Sequence, residues 1–192
     1  ADNWYDIENQ TVNYFRQASI EDTIPVRNVR SVGNNYTVFA TETFIDEVSQ
    51  EIGVDPMAFR LNYLNGVGIN AGSNTPASYG GGKRLANVLK IASGLANYGL
   101  ENLGEYEGLG ISITGAENRW APCFLALVAR VKVDKNSAAI NVQKLTCVLD
   151  VGIAINPDGI RAQVEGSLLW GLSNALLEKM TLEDGMVSER NF

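Results

Sequence analysis

The stretch from residue 146 to residue 180 constrains the fold most, because its sequence predicts a strand, a tight turn and a long helix in immediate succession. Asn156 suits a helix N-cap and Pro157 suits the first helical position. Apolar residues then recur at helical spacing, namely Ile160, Val164, Leu168, Leu172, Ala175 and Leu176. These features predict a helix over residues 157–178 that follows a strand ending at Asp150.

Two glycines interrupt this helix. Gly166 and Gly171 each cost about 1 kcal/mol relative to alanine in a helix interior. A helix that keeps such residues usually has another backbone or a ligand close against it. Gln163, whose amide carries donors and an acceptor, lies one turn before Ser167. The residues leave two interpretations open: an ordinary buried helix that accommodates a glutamine, or one wall of a binding site.

Composition excludes several classes of function. The 192 residues are 45% apolar, which is enough for a core, and the net charge of −7 argues against nucleic acid and anionic membrane surfaces as partners. The absence of histidine removes histidine-based catalysis and histidine metal ligands, and no apolar run has the length of a membrane span. Cys123 and Cys147 are too few for a disulfide framework or a zinc site. We expect buried free thiols, with a single bridge as the alternative.

The pattern of apolar residues and turn signals predicts an α+β fold, a mostly antiparallel sheet with packed helices. Helices are expected over residues 38–52, 55–65 and 83–98, and strands over 10–18, 110–116, 124–134 and 138–150. Gly53 suits the end of a helix, and Asp184-Gly185 suits the tight turn of a last hairpin within 178–192. Gly33-Asn34-Asn35 indicates a loop.

These elements suggest three portions. Residues 1–64 form a strand plus a helix hairpin, and residues 65–82 form a loop rich in Gly, Asn and Ser. Residues 83–192 contain a helix, the antiparallel strands and the helix 157–178. The polar beginning and the abrupt end of the chain predict an excised fragment.

Three groups of residues occur in the order and spacing of a known family. The first comprises Arg30-Ser31-Val32-Gly33, Phe39, Glu42, Phe44-Ile45-Asp46-Glu47, Asp55-Pro56 and Phe59-Arg60. The second comprises Asp150-Val151-Gly152, Asn156-Pro157 and Arg161-Ala162-Gln163-Val164-Glu165-Gly166, and the third Asp184-Gly185 and Asn191-Phe192. Together they resemble the molybdopterin-binding subunit of the xanthine dehydrogenase/aldehyde oxidase (molybdenum hydroxylase) family, and more narrowly the isoquinoline 1-oxidoreductase β-subunit type.

The resemblance implies a molybdenum-dependent oxidoreductase that oxidises an aldehyde or an N-heterocycle. Its cofactor would be molybdopterin cytosine dinucleotide carrying molybdenum, and electrons would leave through an iron–sulfur subunit or domain. The cofactor-binding residues implied are Gln163, Arg30, Gly33 and Gly166. From the residues alone, Arg30 has the alternative role of a surface or salt-bridged arginine.

The resemblance also places no catalytic residue in this chain. The family's catalytic glutamate belongs to a motif downstream of the final hairpin, and cysteine clusters for iron–sulfur centres are absent here. We therefore expect the isolated 192 residues to lack the cofactor and to be inactive. The alternatives are a non-enzymatic homologue that binds a ligand or partner with the same fold, and a generic α+β interaction domain.

Overall fold

The computed structural model describes residues 4–11, 13, 15, 30–65, 80–100, 102–118 and 121–190. The chain divides into two compact units, Ala1–Gly152 (unit 1) and Ile153–Phe192 (unit 2). Within the described residues, unit 1 contains three helices and a three-stranded sheet, and unit 2 contains one helix and a small hairpin. Both sheets are antiparallel, so the predicted α+β class is confirmed.

The helices of unit 1 are α1 (Asn34–Glu51), α2 (Pro56–Asn62) and α3 (Gly81–Leu95). The junction between α1 and α2 follows the sequence prediction. Gly53 adopts a left-handed φ of +68°, and the Asp55 carboxylate accepts the Ala58 amide at 2.9 Å as an N-cap. Both positions can be predicted because caps depend on local chemistry.

Two helix beginnings differ from the prediction. The loop predicted at Gly33-Asn34-Asn35 is wrong for both asparagines, because α1 already begins at Asn34. The Thr37 amide and hydroxyl donate to the Gly33 carbonyl at 3.1 and 2.7 Å, which stabilises this extra turn. Helix α3 likewise begins at Gly81, two residues before the predicted start.

The sheet of unit 1 has the order β1 (Glu107–Asn118), β2 (Ala121–Val133) and β3 (Ile140–Asp150). Strand β1 was predicted as residues 110–116 only; it is longer because it pairs with β2 along its whole length. That pairing outweighs the low strand propensity of its glycines. The turn predicted at 135–137 is confirmed, and Asp134 accepts the Ser137 amide at 2.8 Å.

The core of unit 1 lies between α3 and one face of the sheet. Buried α3 residues face buried strand residues, namely Leu85, Val88, Leu89 and Ala92 on the helix and Ile111, Ile113, Phe124, Ala126 and Val128 on the strands. The Trp4 ring lies against the first turn of α3, since a Cβ at Gly81 would be 2.1 Å from it. The Trp4 indole donates to the Gly115 carbonyl at 3.0 Å. The N-terminal segment is therefore part of this core.

Unit 2 contains α4 (Pro157–Leu176) and the hairpin β4 (Leu182–Glu183) and β5 (Met186–Val187). Asn156 caps α4 by accepting the Gly159 amide at 3.0 Å, as predicted. The expected tight turn is also confirmed: Asp184 and Gly185 have φ values of +51° and +76°. The interpretation of α4 as an ordinary buried helix is wrong, because none of its residues is buried.

The remaining predictions concern two segments of the chain, the two cysteines and membrane spans. The strand predicted at 10–18 and the loop at 65–82 fall largely outside the described residues. Cys123 and Cys147 are free thiols, as expected, but half-buried rather than buried. Cys147 pairs with Leu127, four residues along β2 from Cys123, a separation of roughly 13 Å that excludes a bridge. In the described part of the chain, no helix is long and apolar enough to cross a membrane.

Candidate functional site

One face of α4 carries mostly small residues and is exposed to solvent. Gln163, Gly166, Ser167 and Gly171 fall within an arc of about 140° around the helix axis, so they lie on one side of the helix, and all four are exposed. A Cβ built at Gly166 or at Gly171 would meet no heavy atom within 4 Å. We call these four residues the glycine face. It offers a flat surface with one side-chain amide, which a planar ligand can approach closely.

The N-terminus of α4 is a poorer place for an anion than this face. Pro157 has no amide hydrogen, and the Gly159 amide is already bound by Asn156 at 3.0 Å. Asp158 adds a negative charge in the first turn. The chemistry of α4 therefore favours hydrogen bonding along its side over phosphate binding at its end.

The second predicted site region is the turn from Arg30 to Gly33, immediately before α1. Arg30 is exposed, and Ser31 and Val32 both have positive φ values, +72° and +46°. A left-handed conformation is strained for a β-branched residue such as Val32, and strain of this kind concentrates at functional sites. Gly33 itself is unstrained, with φ −66°, and forms the N-cap position of α1. The strain therefore lies beside the predicted glycine.

An ion pair holds the end of β3. Arg84 donates to both carboxylate oxygens of Asp150, with Nε–Oδ2 at 2.7 Å and Nη2–Oδ1 at 2.6 Å. The same Oδ1 accepts the Gly152 amide at 2.8 Å, and Gly152 has a left-handed φ of +72°. The guanidinium lies 4.5 Å above the centre of the Phe124 ring, which Trp4 contacts edge-on at 5.1 Å. The Arg84 fork lowers the pKa of Asp150, so this carboxylate is charged at neutral pH.

Three residues of the first family-like group, Glu42, Asp46 and Arg60, form an interior network rather than a surface site. Arg60 is fully buried and donates through Nε to Glu42 at 3.0 Å and through Nη1 to Asp46 at 2.7 Å. Glu42 also accepts the Tyr5 hydroxyl at 2.8 Å and the Ile113 amide at 2.9 Å. Burial raises the pKa of Glu42, while Arg60, Ile113 and Tyr5 act to lower it. The network joins the N-terminal segment, α1, α2 and β1.

A small cavity lies between the sheet of unit 1 and the end of α3. This cavity of about 30 Å³, lined by Leu109, Val128, Arg130 and Lys144, among others, has room for a single water molecule. Within the residues that the structure describes, no group of three or more Cys, Asp or Glu side chains is arranged to hold a metal ion.

The structure brings the predicted site residues together in two pairs. Gln163 and Gly166 share the glycine face in unit 2, and Arg30 and Gly33 share the strained turn in unit 1. Sequence reasoning missed Arg84, which lies sixty-six residues from Asp150, because no local pattern connects positions so far apart. It also missed that Glu42, Asp46 and Arg60 act within the scaffold.

Comparison with known proteins identifies several relatives. The chain is 36% identical over its full length to a membrane-bound aldehyde dehydrogenase (pyrroloquinoline-quinone) of Gluconacetobacter polyoxogenes. It is 26% identical over 88% of its length to the β-subunit of isoquinoline 1-oxidoreductase of Brevundimonas diminuta. It is 25% identical over 98% of its length to the B-subunit of nicotinate dehydrogenase of Pseudomonas putida. The chain spans 25%, 20% and 15% of these relatives, respectively.

A family profile covers more than half of the chain. Residues 67–192 match the profile described as a molybdopterin cofactor-binding domain. This range includes the Arg84–Asp150 pair, the whole of α4 and the final hairpin. The profile and the relatives agree with the resemblance carried by the motifs. The chain belongs to the molybdopterin cofactor-binding domain family.

Proposed function

We propose that α4 supplies one wall of the molybdopterin cytosine dinucleotide site in a molybdenum hydroxylase, with Gln163 and Gly166 as the cofactor-binding residues of its glycine face. From the family resemblance we also assign Arg30 and Gly33, in the turn before α1, to cofactor binding. The observation that carries the proposal is the exposed glycine face, where no heavy atom lies within 4 Å of the Cβ positions of Gly166 and Gly171.

The glycine face fits a pterin in shape and in chemistry. A pterin is planar and presents a row of hydrogen-bond donors and acceptors along one edge. The exposed Gln163 amide can donate and accept together, and the bare backbone at Gly166 lets a flat ring approach the helix. A helix with two interior glycines loses about 1 kcal/mol at each, which close contact with a ligand would offset.

The turn before α1 fits a different part of the ligand. The Arg30 guanidinium has a rigid fork of donors suited to a phosphate, a carboxylate or a carbonyl oxygen. The positive φ values at Ser31 and Val32 hold this turn in an uncommon conformation. We assign Arg30 to an anionic or carbonyl oxygen of the cofactor or substrate, with Gly33 beside it.

When bound, the cofactor supplies transfer of a water-derived oxygen into a C–H bond of the substrate. The residues of this chain bind and orient it, and the proposal gives none of them a catalytic role. The substrate class is an aldehyde or an N-heterocycle, as the names of the three relatives suggest. Two relatives are named as subunits, which supports a further subunit in the whole enzyme. From the family resemblance we propose that the electron-accepting partner is an iron–sulfur subunit or domain.

The proposal is tested in the whole protein with Gln163→Ala and with Glu165→Ala as its matched control. Both positions are exposed on α4, but Glu165 points away from the glycine face. We expect Gln163→Ala to lower molybdenum and pterin content per polypeptide, because its hydrogen bonds to the pterin are lost, and Glu165→Ala to leave both unchanged. Equal content in both variants, or a purified protein containing pyrroloquinoline quinone in place of molybdopterin, would overturn the proposal.

A further inference from the structure

The two outer edges of the sheet in unit 1 differ in what covers them. The order β1-β2-β3 leaves β1 and β3 each with one side that pairs with no strand among the described residues. A side of this kind presents a row of backbone amides and carbonyls, which need other partners or remain open to a further strand.

The edge of β1 is covered by side chains of unit 1 itself. The Ile113 amide donates to the Glu42 carboxylate at 2.9 Å, and the Gly115 carbonyl accepts the Trp4 indole at 3.0 Å. Glu42 and Trp4 are both buried, so these bonds are shielded from water. Helix α1 and the N-terminal segment therefore occupy the middle of this edge and close it to a further strand.

The register of the sheet identifies the backbone groups of β3 that point inward. The Ile113 amide is bonded to Glu42 and not to β2, so Ile113 and its partner Ala126 form a pair without mutual hydrogen bonds. Ala126 therefore directs its backbone groups to the other neighbour, β3, where its partner is Val148. Val148 thus bonds to β2.

The outward groups of β3 follow from the same alternation. Residues on either side of an inward residue point outward, so Leu145, Cys147 and Leu149 direct their backbone groups away from the sheet. Within the described residues of unit 1, no hydrogen bond reaches the amides or carbonyls of these three residues. The outer edge of β3 is therefore uncovered where the edge of β1 is closed.

The composition of this edge does not protect it from pairing. Edge strands are usually blunted by charged side chains, by proline or by a bulge. In β3 such features are confined to the first half, where the register shifts at Gln143 and Lys144 carries a charge. Residues 145–149 (LTCVL) contain no charged residue and no proline. They leave roughly 17 Å of strand open to pairing.

The side chains beside this edge fit an apolar strand. Val148 packs against the core on the α3 side of the sheet. Side chains alternate between the two faces of a strand, so Leu145 and Leu149 lie on the opposite face. A strand added beside β3 would therefore meet apolar neighbours on both of its faces. A continuous apolar run of this kind is typical of a strand inside a sheet rather than at its edge.

We propose that the outer edge of β3 pairs with an uncharged β-strand from a part of the whole protein outside these 192 residues. The chain spans no more than 25% of the relatives it matches, so a whole protein of their length has ample chain to supply this strand. The backbone groups of Leu145, Cys147 and Leu149 would bond to the added strand, which extends the sheet by strand addition. This inference concerns unit 1 alone and does not depend on the glycine face.

The alternation of amides along β3 supplies an internal control for the test. Hydrogen exchange at single-residue resolution in the whole protein compares the outward amides of Leu145, Cys147 and Leu149 with the inward amides of Thr146 and Val148. We expect all five to exchange at rates within about tenfold of each other, because each would be bonded to a strand. Outward amides that exchange faster than this margin, in alternation with slow inward ones, would show an open edge and overturn the proposal.

Cys147→Pro identifies the segment that covers the edge. Proline at this position removes an outward amide but no hydrogen bond to β2, and an open edge strand tolerates proline there. Cys147→Ala is the matched control, because it removes the same side chain and keeps the amide. In Cys147→Pro, compared with Cys147→Ala, we expect a segment outside residues 1–192 to exchange about tenfold faster, because a hydrogen bond to β3 is lost.

The other occupants of the edge are distinguished by the same comparison. Faster exchange confined to residues 1–192 would overturn the proposal, because another part of this chain would then cover the edge. Faster exchange together with dissociation of a homodimer would also overturn it, since the occupant would be a second copy. Equal exchange in Cys147→Pro and Cys147→Ala would show that no strand pairs there. If Cys147→Pro does not fold, the alternation of amides in the unchanged protein still decides whether the edge is covered.

Discussion

Two sets of family-like residues have opposite surroundings in the folded chain, one set buried and the other exposed. Residues Glu42, Asp46 and Arg60 of the first group form a network around an arginine with no exposed surface. In the second group, α4 has no buried residue, and Gln163 and Gly166 face outward. Both groups resemble the same family in sequence.

The contrast shows that a residue can match a family pattern for either of two reasons: the fold requires it, or the binding of another molecule does. A charged residue in the interior requires partners, because an unpaired buried charge is costly, so Arg60 and its carboxylates must be kept together. An exposed glycine in a helix has no such structural requirement, and alanine would be more stable there. The exposed group is therefore where binding to other molecules is expected.

The largest expected effect comes from breaking the buried network. Arg60→Met would leave Glu42 and Asp46 without their cation, and removing one partner of a buried ion pair costs about 3–5 kcal/mol. Arg130→Met, which removes a partly exposed pair, should cost about 1 kcal/mol or less. Denaturant unfolding of the two variants measures the difference. Equal losses of unfolding free energy in the two variants would show that the buried network stabilises the fold no more than the partly exposed ion pair does.

A smaller effect distinguishes the glycines of the two regions. A Cβ at Gly81 would lie 2.1 and 2.2 Å from atoms of the Trp4 ring, so Gly81→Ala should destabilise unit 1 by about 1–3 kcal/mol through overpacking. At Gly166 a Cβ meets nothing, so Gly166→Ala should stabilise α4 by about 0.5–1 kcal/mol. Thermal unfolding of the two variants tests the predicted loss of stability in Gly81→Ala and the predicted gain in Gly166→Ala. Destabilisation by Gly166→Ala in cofactor-free protein would contradict an open glycine face.

Sequence reasoning succeeded where structure depends on nearby residues. The N-caps Asp55 and Asn156 and the turn at Asp184-Gly185 were predicted because each needs only a few residues of local chemistry. It failed where distant residues meet, as in the pairing of Arg84 with Asp150 and the full length of β1. The candidate site residues came from resemblance, since no periodic pattern marks an exposed face as a binding surface.

The smallest expected effect is a dependence on pH at the exit of β3. Arg84 lowers the pKa of Asp150, so the stabilisation from this pair is fully present above the ordinary pKa of an aspartate, about 4. It is lost as the pH falls through the lowered pKa of the folded state. Protection of the Gly152 amide should therefore decline only below about pH 4, and in Arg84→Met the decline should begin at higher pH. A decline at the same pH in both proteins would show that Arg84 does not hold the carboxylate.

The most direct test of the central claim is to fill the glycine face and to measure bound cofactor. Gly166→Leu places a bulky side chain where the cofactor is proposed to lie, whereas Glu165→Leu places the same side chain at an exposed position on the opposite side of α4. Molybdenum and released pterin are measured per polypeptide in the purified whole protein. We predict loss of both in Gly166→Leu and full content in Glu165→Leu. Full cofactor content in Gly166→Leu would contradict the claim that the glycine face binds molybdopterin.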